Sequence, residues 1–473
     1  MWVAKPNISR MESKRDVDGL VRALAYRDAD IRQSAASALD KLAWAPRDDM
    51  EWVRYLIAKQ AWQELVQAGS PAVEPLIDVL KDEDQDIVKG ARMALEELAH
   101  DSPDVVIGPM VRALEDSSWV LAAEILGATG DPRAIEPLIG ALRHEQFLTI
   151  QRPDGTIEPF GVVKHLVSFG QLAVGPLIRA LQISDPGIQG AVALALGLIG
   201  DPTSVGPLAE ALGKSDPWAS RPHVAKALQL IGEPAVAPLI QVLGHQDPSV
   251  RAEAARILGE IGDPRATEAL AYALGDGAAA GAWTVARTAA KALAEVGDPR
   301  GVMYFVLHRT NVADDNRDQA IEAARKIGKP AVGPLVGALG SGNDLVRICA
   351  ADALAAIGPD AYEAVPALIQ GLRDKAGGMR MEAAQALGKV GPKAMVAVPH
   401  LIQTMGQGPV AGFLERGPAW NALKAITGQD LPRDIAAWQK WWAGWIQQSG
   451  CPQCGCAVKA GARFCTNCGT RLV

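Results

Sequence analysis

The sequence predicts an all-α protein, a stack of helical hairpins finished by a small four-cysteine tail. Three observations predict it. A proline-centred phrase returns along the chain ("PAVEPLIDVLKD", "PRAIEPLIGALRH", "PAVAPLIQVLGHQ", "PAVGPLVGALGSG"), with prolines at Pro75, Pro109, Pro137, Pro176, Pro207, Pro238, Pro334, Pro366 and Pro399. From Pro176 to Pro207 to Pro238 the step is 31 residues each time. A second phrase follows at a fixed offset ("SVRAEAARILGEIGDPRA", "LVRICAADALAAIG", "GMRMEAAQALGKVG"), and a glycine closes each copy, at Gly200, Gly232, Gly262, Gly297, Gly328, Gly358 and Gly391. Five of the six cysteines then fall in the last 23 residues as two CxxC pairs and one extra thiol. Phased markers of this kind mean a repeat array rather than a set of globular domains.

One copy shows why each element forms. Val236, Leu239, Ile240 and Leu243 lie at i, i+3, i+4 and i+7, an apolar helical stripe. Asp247 can cap the next helix, with Pro248 at its first position, where a missing N–H costs nothing. That helix carries Val250, Ala254, Ile257, Leu258 and Ile261 inward, and Gly262 ends it in a left-handed conformation before Asp263-Pro264 opens the next copy. Pro238 sits where the first helix should run, so that helix must kink or begin late. Each hairpin has an apolar side it cannot bury alone, and stacking on its neighbours is the remedy.

Composition agrees. Hydrophobic residues make up 49% and charged residues 21%, a folded range, while 5% aromatics suits helix-on-helix contacts better than sheets. A net charge of −7 argues against a dedicated nucleic-acid binder, whose footprint is a basic face. The opening "MWVAKPNISRMESKRD" lacks the apolar core of a signal peptide, and the longest apolar stretch, "GAVALALGLIG", falls short of the ~20 residues that span a bilayer. With cysteines in metal-ligand spacing, a cytoplasmic location is expected.

The phrases "PLIxxL", "VRxxAAxALGxIG" and "GDPRA" resemble the HEAT repeat family, in its short bacterial type named after phycobilisome (PBS) lyases. The resemblance covers about residues 15 to 430 and implies a HEAT/armadillo-like α-α superhelix of about ten or eleven hairpins, offering an extended surface for protein partners. The expected organisation is an N-terminal tail at 1–14, a repeat solenoid at 15–430, a Trp-rich capping helix at 431–449 and a zinc ribbon at 450–473.

Irregularities in the period mark the places to inspect for binding. Pro137 to Pro176 spans 39 residues, and the insertion, near 143–165, holds a Pro153-Asp154-Gly155 turn between Ile150 and Ile157, the pattern of a small β-hairpin. It reads as a tolerated surface loop or as an arm that meets a partner. The glycines Gly275, Gly277 and Gly281 read as a flexible turn, because helices flank both sides where a phosphate-cradling loop needs a preceding strand. Recurrent acid–arginine pairs, such as Asp247 with Arg251 and Asp344 with Arg347, suit ladders between adjacent copies. Cys349 stands where other copies have a small apolar residue and reads as core.

No catalytic residue emerges. Gly213-Lys214-Ser215 imitates the end of a P-loop, but Leu208 stands where its glycine should. The HEAT-like deoxyhypusine hydroxylases build a di-iron centre from several His-Glu pairs, and His144-Glu145 is the single such pair here. No HExxH or GxSxG is present, and the seven histidines are scattered.

Trp438, Trp441, Trp442 and Trp445 fall at i, i+3, i+4 and i+7 in a segment resembling the "TGQD…W…WW" ending of other bacterial HEAT-like chains. Its simplest role is a cap over the last hairpin; a membrane-surface helix would carry more cations than Lys440. Cys451, Cys454, Cys465 and Cys468 have the spacing of a structural four-thiolate zinc site, with Gly455 and Gly469 after each second cysteine. The segment resembles the small zinc-ribbon modules appended to many bacterial proteins, which implies one structural zinc ion. Cys456 is a fifth thiol, readable as an alternative ligand, an oxidation-sensitive spare or an uninvolved side chain. Only Gln447 to Gly450 separate the Trp helix from Cys451, so the ribbon should sit close against it. The functional expectation is a non-enzymatic scaffold or adaptor for protein partners. A bilin-lyase-like enzyme or chaperone is the first alternative, and nucleic-acid binding by the concave face the second.

Overall fold

The computed structural model describes residues 5–144, 149–151, 157–217, 219–275, 283–308, 315–406, 412–454, 456–459 and 461–472. The chain packs as two compact units, Met1–Ile231 and Gly232–Val473. Each is a stack of α-hairpins, the fold class the periodicity predicts.

A hairpin of the second unit shows how the phrases become structure. Glu233–Ala235 form a 3-10 turn, and the first helix, Val236–Val242, begins just before Pro238. The helix therefore starts late, placing the proline in the first turn, where an absent N–H breaks no helical bond. Val236 and Leu239 are buried, whereas Ile240 and Leu243 are half-buried. Asp247 caps the second helix, Pro248–Ile261, by accepting from the Ser249 N–H at 2.8 Å. Val250, Ala254, Ile257 and Leu258 are sealed in the core. Gly262 ends it at φ 73°, ψ 18°, a left-handed cap. At Gly358 φ is again positive, but ψ is −132°. Gly232 and Gly328 share that conformation, at ψ −128° and −136°, with no proline directly after them; in all three the 3-10 turn of the next copy follows at once, whereas Asp263 intervenes after Gly262.

Successive second helices approach most closely where the recurrent "LG" meets an alanine. A Cβ on Gly259 would stand 2.7 Å from Ala292 Cα, one on Gly197 2.5 Å from Ala227 Cα, and one on Gly388 2.9 Å from Ala422 Cα. Only glycine allows that spacing.

The insertion forms a two-stranded antiparallel ladder, Thr149–Gln151 against Ile157–Pro159, with Ile150 opposite Glu158. Its expected turn, Pro153-Asp154-Gly155, lies outside the described residues, as do Gly277 and Gly281. Gly161–Ser168 is already the second helix of that hairpin, so the stack resumes at once. Within 1–14, Ile8–Ser13 form a helix capped by Asn7, and Ile8 and Met11 pack on the first hairpin. Cys349 is fully buried.

Ion pairs tie neighbours together. Arg265 holds Asp263 at 2.5 Å and Glu233 at 3.0 Å; Arg300 repeats the pattern with Asp298 and Glu268. Such exposed pairs contribute little each, ~0–1 kcal/mol. Arg347 is different: buried, it joins Asp344 at 2.7 Å to Asp374 at 2.8 Å. A further cluster, not legible in the period, runs across three second helices. Arg317 grips Asp352 through two bonds, at 2.7 and 2.9 Å, and reaches Glu382 at 3.1 Å. Burial pushes Glu382 up to about 7, and the adjacent Asp352 carboxylate acts in the same direction.

Two expectations follow. Gly259→Val should destabilise the second unit by about 1–3 kcal/mol, the cost of overpacking a close contact, read as a lower denaturant midpoint; Ala292→Gly in the same chain should restore part of it. Between the ordinary glutamate range and about 7 the folded chain holds the extra Glu382 proton, so stability falls as pH rises through that window. Glu382→Gln should therefore raise stability at pH 8.5 by ~1 kcal/mol, a figure reduced for partial exposure, and change nothing at pH 4. Equal effects at both pH values would contradict it.

Candidate metal centre

Helix Ile435–Ser449 starts on Asp434, whose carboxylate accepts from the N–H groups of Ala436 and Ala437. It packs against helix Val398–Gly406. Trp438 and Trp442 are buried, while Trp441 and Trp445 are half-buried at the edge of the same cluster. Each buried indole has its N–H satisfied: Trp438 donates to the Pro432 carbonyl at 3.0 Å, and Trp442 to the Leu472 carbonyl at 2.6 Å. The second of these bonds holds the tail. Leu472, Cys451 and Cys465 are buried in the apolar cluster that contains Trp438, Trp442 and Ile446. The tail is thus docked on the helix that precedes it. Arg471 also lies near His400 of the neighbouring helix, whose imidazole is lowered to about 4 by burial, with Arg373 and Arg471 adding repulsion.

Within the tail the two knuckles are built alike. The Cys451 N–H donates to the Cys456 carbonyl, and the Cys465 N–H to the Thr470 carbonyl, both at 2.8 Å. A short antiparallel bridge between Phe464 and Arg471 closes the second knuckle, and Gly469 takes a positive φ of 72°. Gly455 lies outside the described residues. The Sγ atoms of Cys451, Cys454, Cys465 and Cys468 all lie within 4.8 Å of one another. Cys451 and Cys468 are 3.5 Å apart, Cys454 and Cys465 3.6 Å. Sulfurs at ~2.3 Å from a common tetrahedral ion would stand about 3.8 Å apart, so the cluster fits one metal ion with no coordination position left open.

Backbone amides serve the thiols. Asn467 N–H points at Cys465 Sγ at 3.4 Å. An N–H from Cys456 lowers the Cys454 thiol, and the Thr470 hydroxyl, 3.0 Å away, lowers that of Cys468. Cys451 goes the other way, raised by burial. Cys456 now has a place. It occupies in the first knuckle the position Thr470 holds in the second, and it hydrogen-bonds to Cys454 as Thr470 does to Cys468. The fifth thiol stands beside Cys454 and outside the group of four.

Among the described residues no other group of histidine, cysteine or carboxylate side chains converges within metal reach. His144, the one His-Glu candidate, is exposed, with its ring against Trp119. No described helix is long and apolar enough to cross a membrane.

The fold defines a class, the α-α superhelical repeat proteins. The family description "HEAT repeats" matches residues 207–283, 236–325 and 332–412, and "PBS lyase HEAT-like repeat" matches 121–144 and 188–214. The chain therefore carries HEAT repeats, including PBS lyase HEAT-like copies; the four-cysteine tail lies outside these matches. No curated protein matches the chain. Among solved structures, an engineered structural-genomics protein is 22% identical, covering 87% of this chain and 98% of its own, at a TM-score of 0.28. Importin beta is 13% identical over 93% of this chain and 71% of its own, at 0.40. Kap121p bound to Pho4p is 12% identical over 94% of this chain and 55% of its own, at 0.45.

Cys454→Ser should abolish metal uptake by the tail, whereas Cys456→Thr, which copies the second knuckle, should retain it. Metal content per chain after dialysis separates the two. Loss of metal from Cys456→Thr would place that thiol among the ligands.

Proposed function

We propose that the protein is a non-enzymatic scaffold or adaptor, binding protein partners through the exposed faces of its stacked second helices and carrying one structural zinc ion on Cys451, Cys454, Cys465 and Cys468. The charge pattern of those faces carries the reading. Arg92 is paired with Glu96 and Glu124, Arg256 with Glu253 and Glu260, Arg317 with Asp352 and Glu382, and Lys326 with Glu295. Cations neutralised in this way cannot form the unbroken basic stripe that phosphate binding requires, and mixed charge suits a protein surface. Four thiolates around one ion favour a structural zinc over a catalytic one, which keeps an open position. The tail, with almost no core of its own, draws its folding free energy from the ion, ~10–16 kcal/mol for such sites, and from its dock on Trp442.

Purified protein should hold about one zinc per chain. Cross-linking of the full chain in its native host should return protein partners joined at Lys89, Lys164 or Lys291, exposed lysines of second helices. Salt-dependent binding to single- or double-stranded DNA, with no such cross-links, would overturn the scaffold reading; a different metal at full occupancy would overturn the zinc assignment alone.

A further inference from the structure

A cleft of about 790 Å³ opens in the first unit where the stack departs from its period. Its floor comes from helices Gln85–Asp101, Trp119–Ala128 and Gly161–Ser168, and its rim from Trp119, His144 and Phe160, the last following the inserted hairpin. We propose that this cleft binds a small, uncharged, planar organic molecule that carries an O–H or N–H donor on its edge.

One packing rule is broken beside the cleft. Gly127 is the "LG" glycine of its copy, equivalent to Gly197, Gly259 and Gly388, which meet alanine. Opposite Gly127 stands His165, whose ring lies so close that a Cβ on the glycine would be 2.2 Å from Nδ1. An imidazole replaces the methyl there; a Cβ on Gly127 would stand 2.7 Å from His165 Cβ, as one on Gly259 would from Ala292 Cβ, so the seam keeps its spacing and gains a polar group at its edge. Burial holds that imidazole below its usual range, and neither ring nitrogen has a hydrogen-bond partner among the described residues.

Beside it Glu124 is already ion-paired, its Oε2 sealed from solvent 3.0 Å from Arg92 Nη1, and Arg92 also holds Glu96 at 2.8 Å. The acceptor that a ligand donor can meet is therefore the His165 imidazole, a polar group that ligand binding would complete.

The remaining walls set the ligand's shape and charge. Trp119 and His144 lie with ring centres 5.6 Å apart, and Arg143 Nε donates to His144 Nε2. Phe160 is 48% exposed and Val120 47%, apolar surface in want of a partner. Among the described lining residues Arg92 and Lys164 balance Glu96 and Glu124, so they favour neither sign of charge on a ligand. The volume falls within the ~300–1,000 Å³ of small-molecule sites and exceeds what one side chain fills. The inference is of binding, and it stands apart from the scaffold reading.

The test titrates the full chain with 2-naphthol, with 2-methoxynaphthalene (the same ring without the donor) and with the peptide Gly-Tyr-Gly, by ligand-observed NMR. Saturable binding of 2-naphthol is expected, with the methoxy compound weaker by about fivefold, the scale of a hydrogen bond to a neutral acceptor. His165→Phe should remove that discrimination. Phe160→Ala, at an exposed position that folding does not need, should weaken both naphthalenes alike. Absent or unsaturable binding of 2-naphthol, equal affinity for both naphthalenes, or affinity unchanged in Phe160→Ala would each overturn the proposal. Tighter binding of the tripeptide than of 2-naphthol would overturn the small-molecule assignment.

Discussion

The contact between one second helix and the next is the interaction on which everything else rests. A two-helix hairpin exposes too much apolar surface to persist alone; it becomes stable when Ala, Val, Leu and Ile on both sides are covered by neighbours, each fully buried aliphatic side chain contributing ~1.5–3 kcal/mol. The recurrent glycine brings backbones close enough that Ala227, Ala292 and Ala422 pack directly on Gly197, Gly259 and Gly388. Small residues at that seam explain a composition rich in alanine and poor in aromatics. At Gly127 the seam's alanine is replaced by an imidazole, and a cleft lies beside it.

A stack built on neighbour contacts leaves its last hairpin with an uncovered side, and the aromatic helix meets that need. Two indoles go fully into the apolar cluster, and each still satisfies its N–H, which a buried tryptophan requires. One partner is a carbonyl of the four-cysteine tail itself, at Leu472. Cap and tail are therefore one structure: the thiol cluster fixes the strand that supplies the acceptor, and the acceptor fixes the indole. This coupling also explains why Cys451 and Cys465, one from each knuckle, share the core with tryptophans.

Much of this was legible in the sequence because it is local. Asp247, Pro248 and Gly262 act through bonds to residues within a turn of themselves, so their roles follow from type and spacing. The β-ladder was legible for the same reason, through its turn signal. Long-range features were not. Nothing in the period distinguishes Arg317 from the other second-helix arginines, because Asp352 and Glu382 come from the two following hairpins. Likewise His165 gains its meaning from Gly127, on the preceding second helix. The division at Ile231 carries no composition shift to announce it. The role of Cys456 sits between these cases: the offsets from Cys451 to Cys454 to Cys456 repeat from Cys465 to Cys468 to Thr470, so the equivalence was present in the spacing, although the hydrogen bond that gives it meaning was not.

Charge decides what kind of surface such a fold offers. Residues facing away from the packed seam are free of packing constraint, so their chemistry reports on what they meet. On the second helices basic side chains are repeatedly set beside acidic ones, within a hairpin at Arg256 and between hairpins at Arg92 and Arg317. Pairing of this kind adds little stability when exposed, yet it cancels the long-range field that would draw in a polyanion. What remains is a short-range surface of alternating sign with isolated apolar side chains such as Met93 and Val120. Recognition on it depends on matched shape and register, which an array of nearly identical hairpins supplies at many points along its length and a single departure from the repeat makes specific.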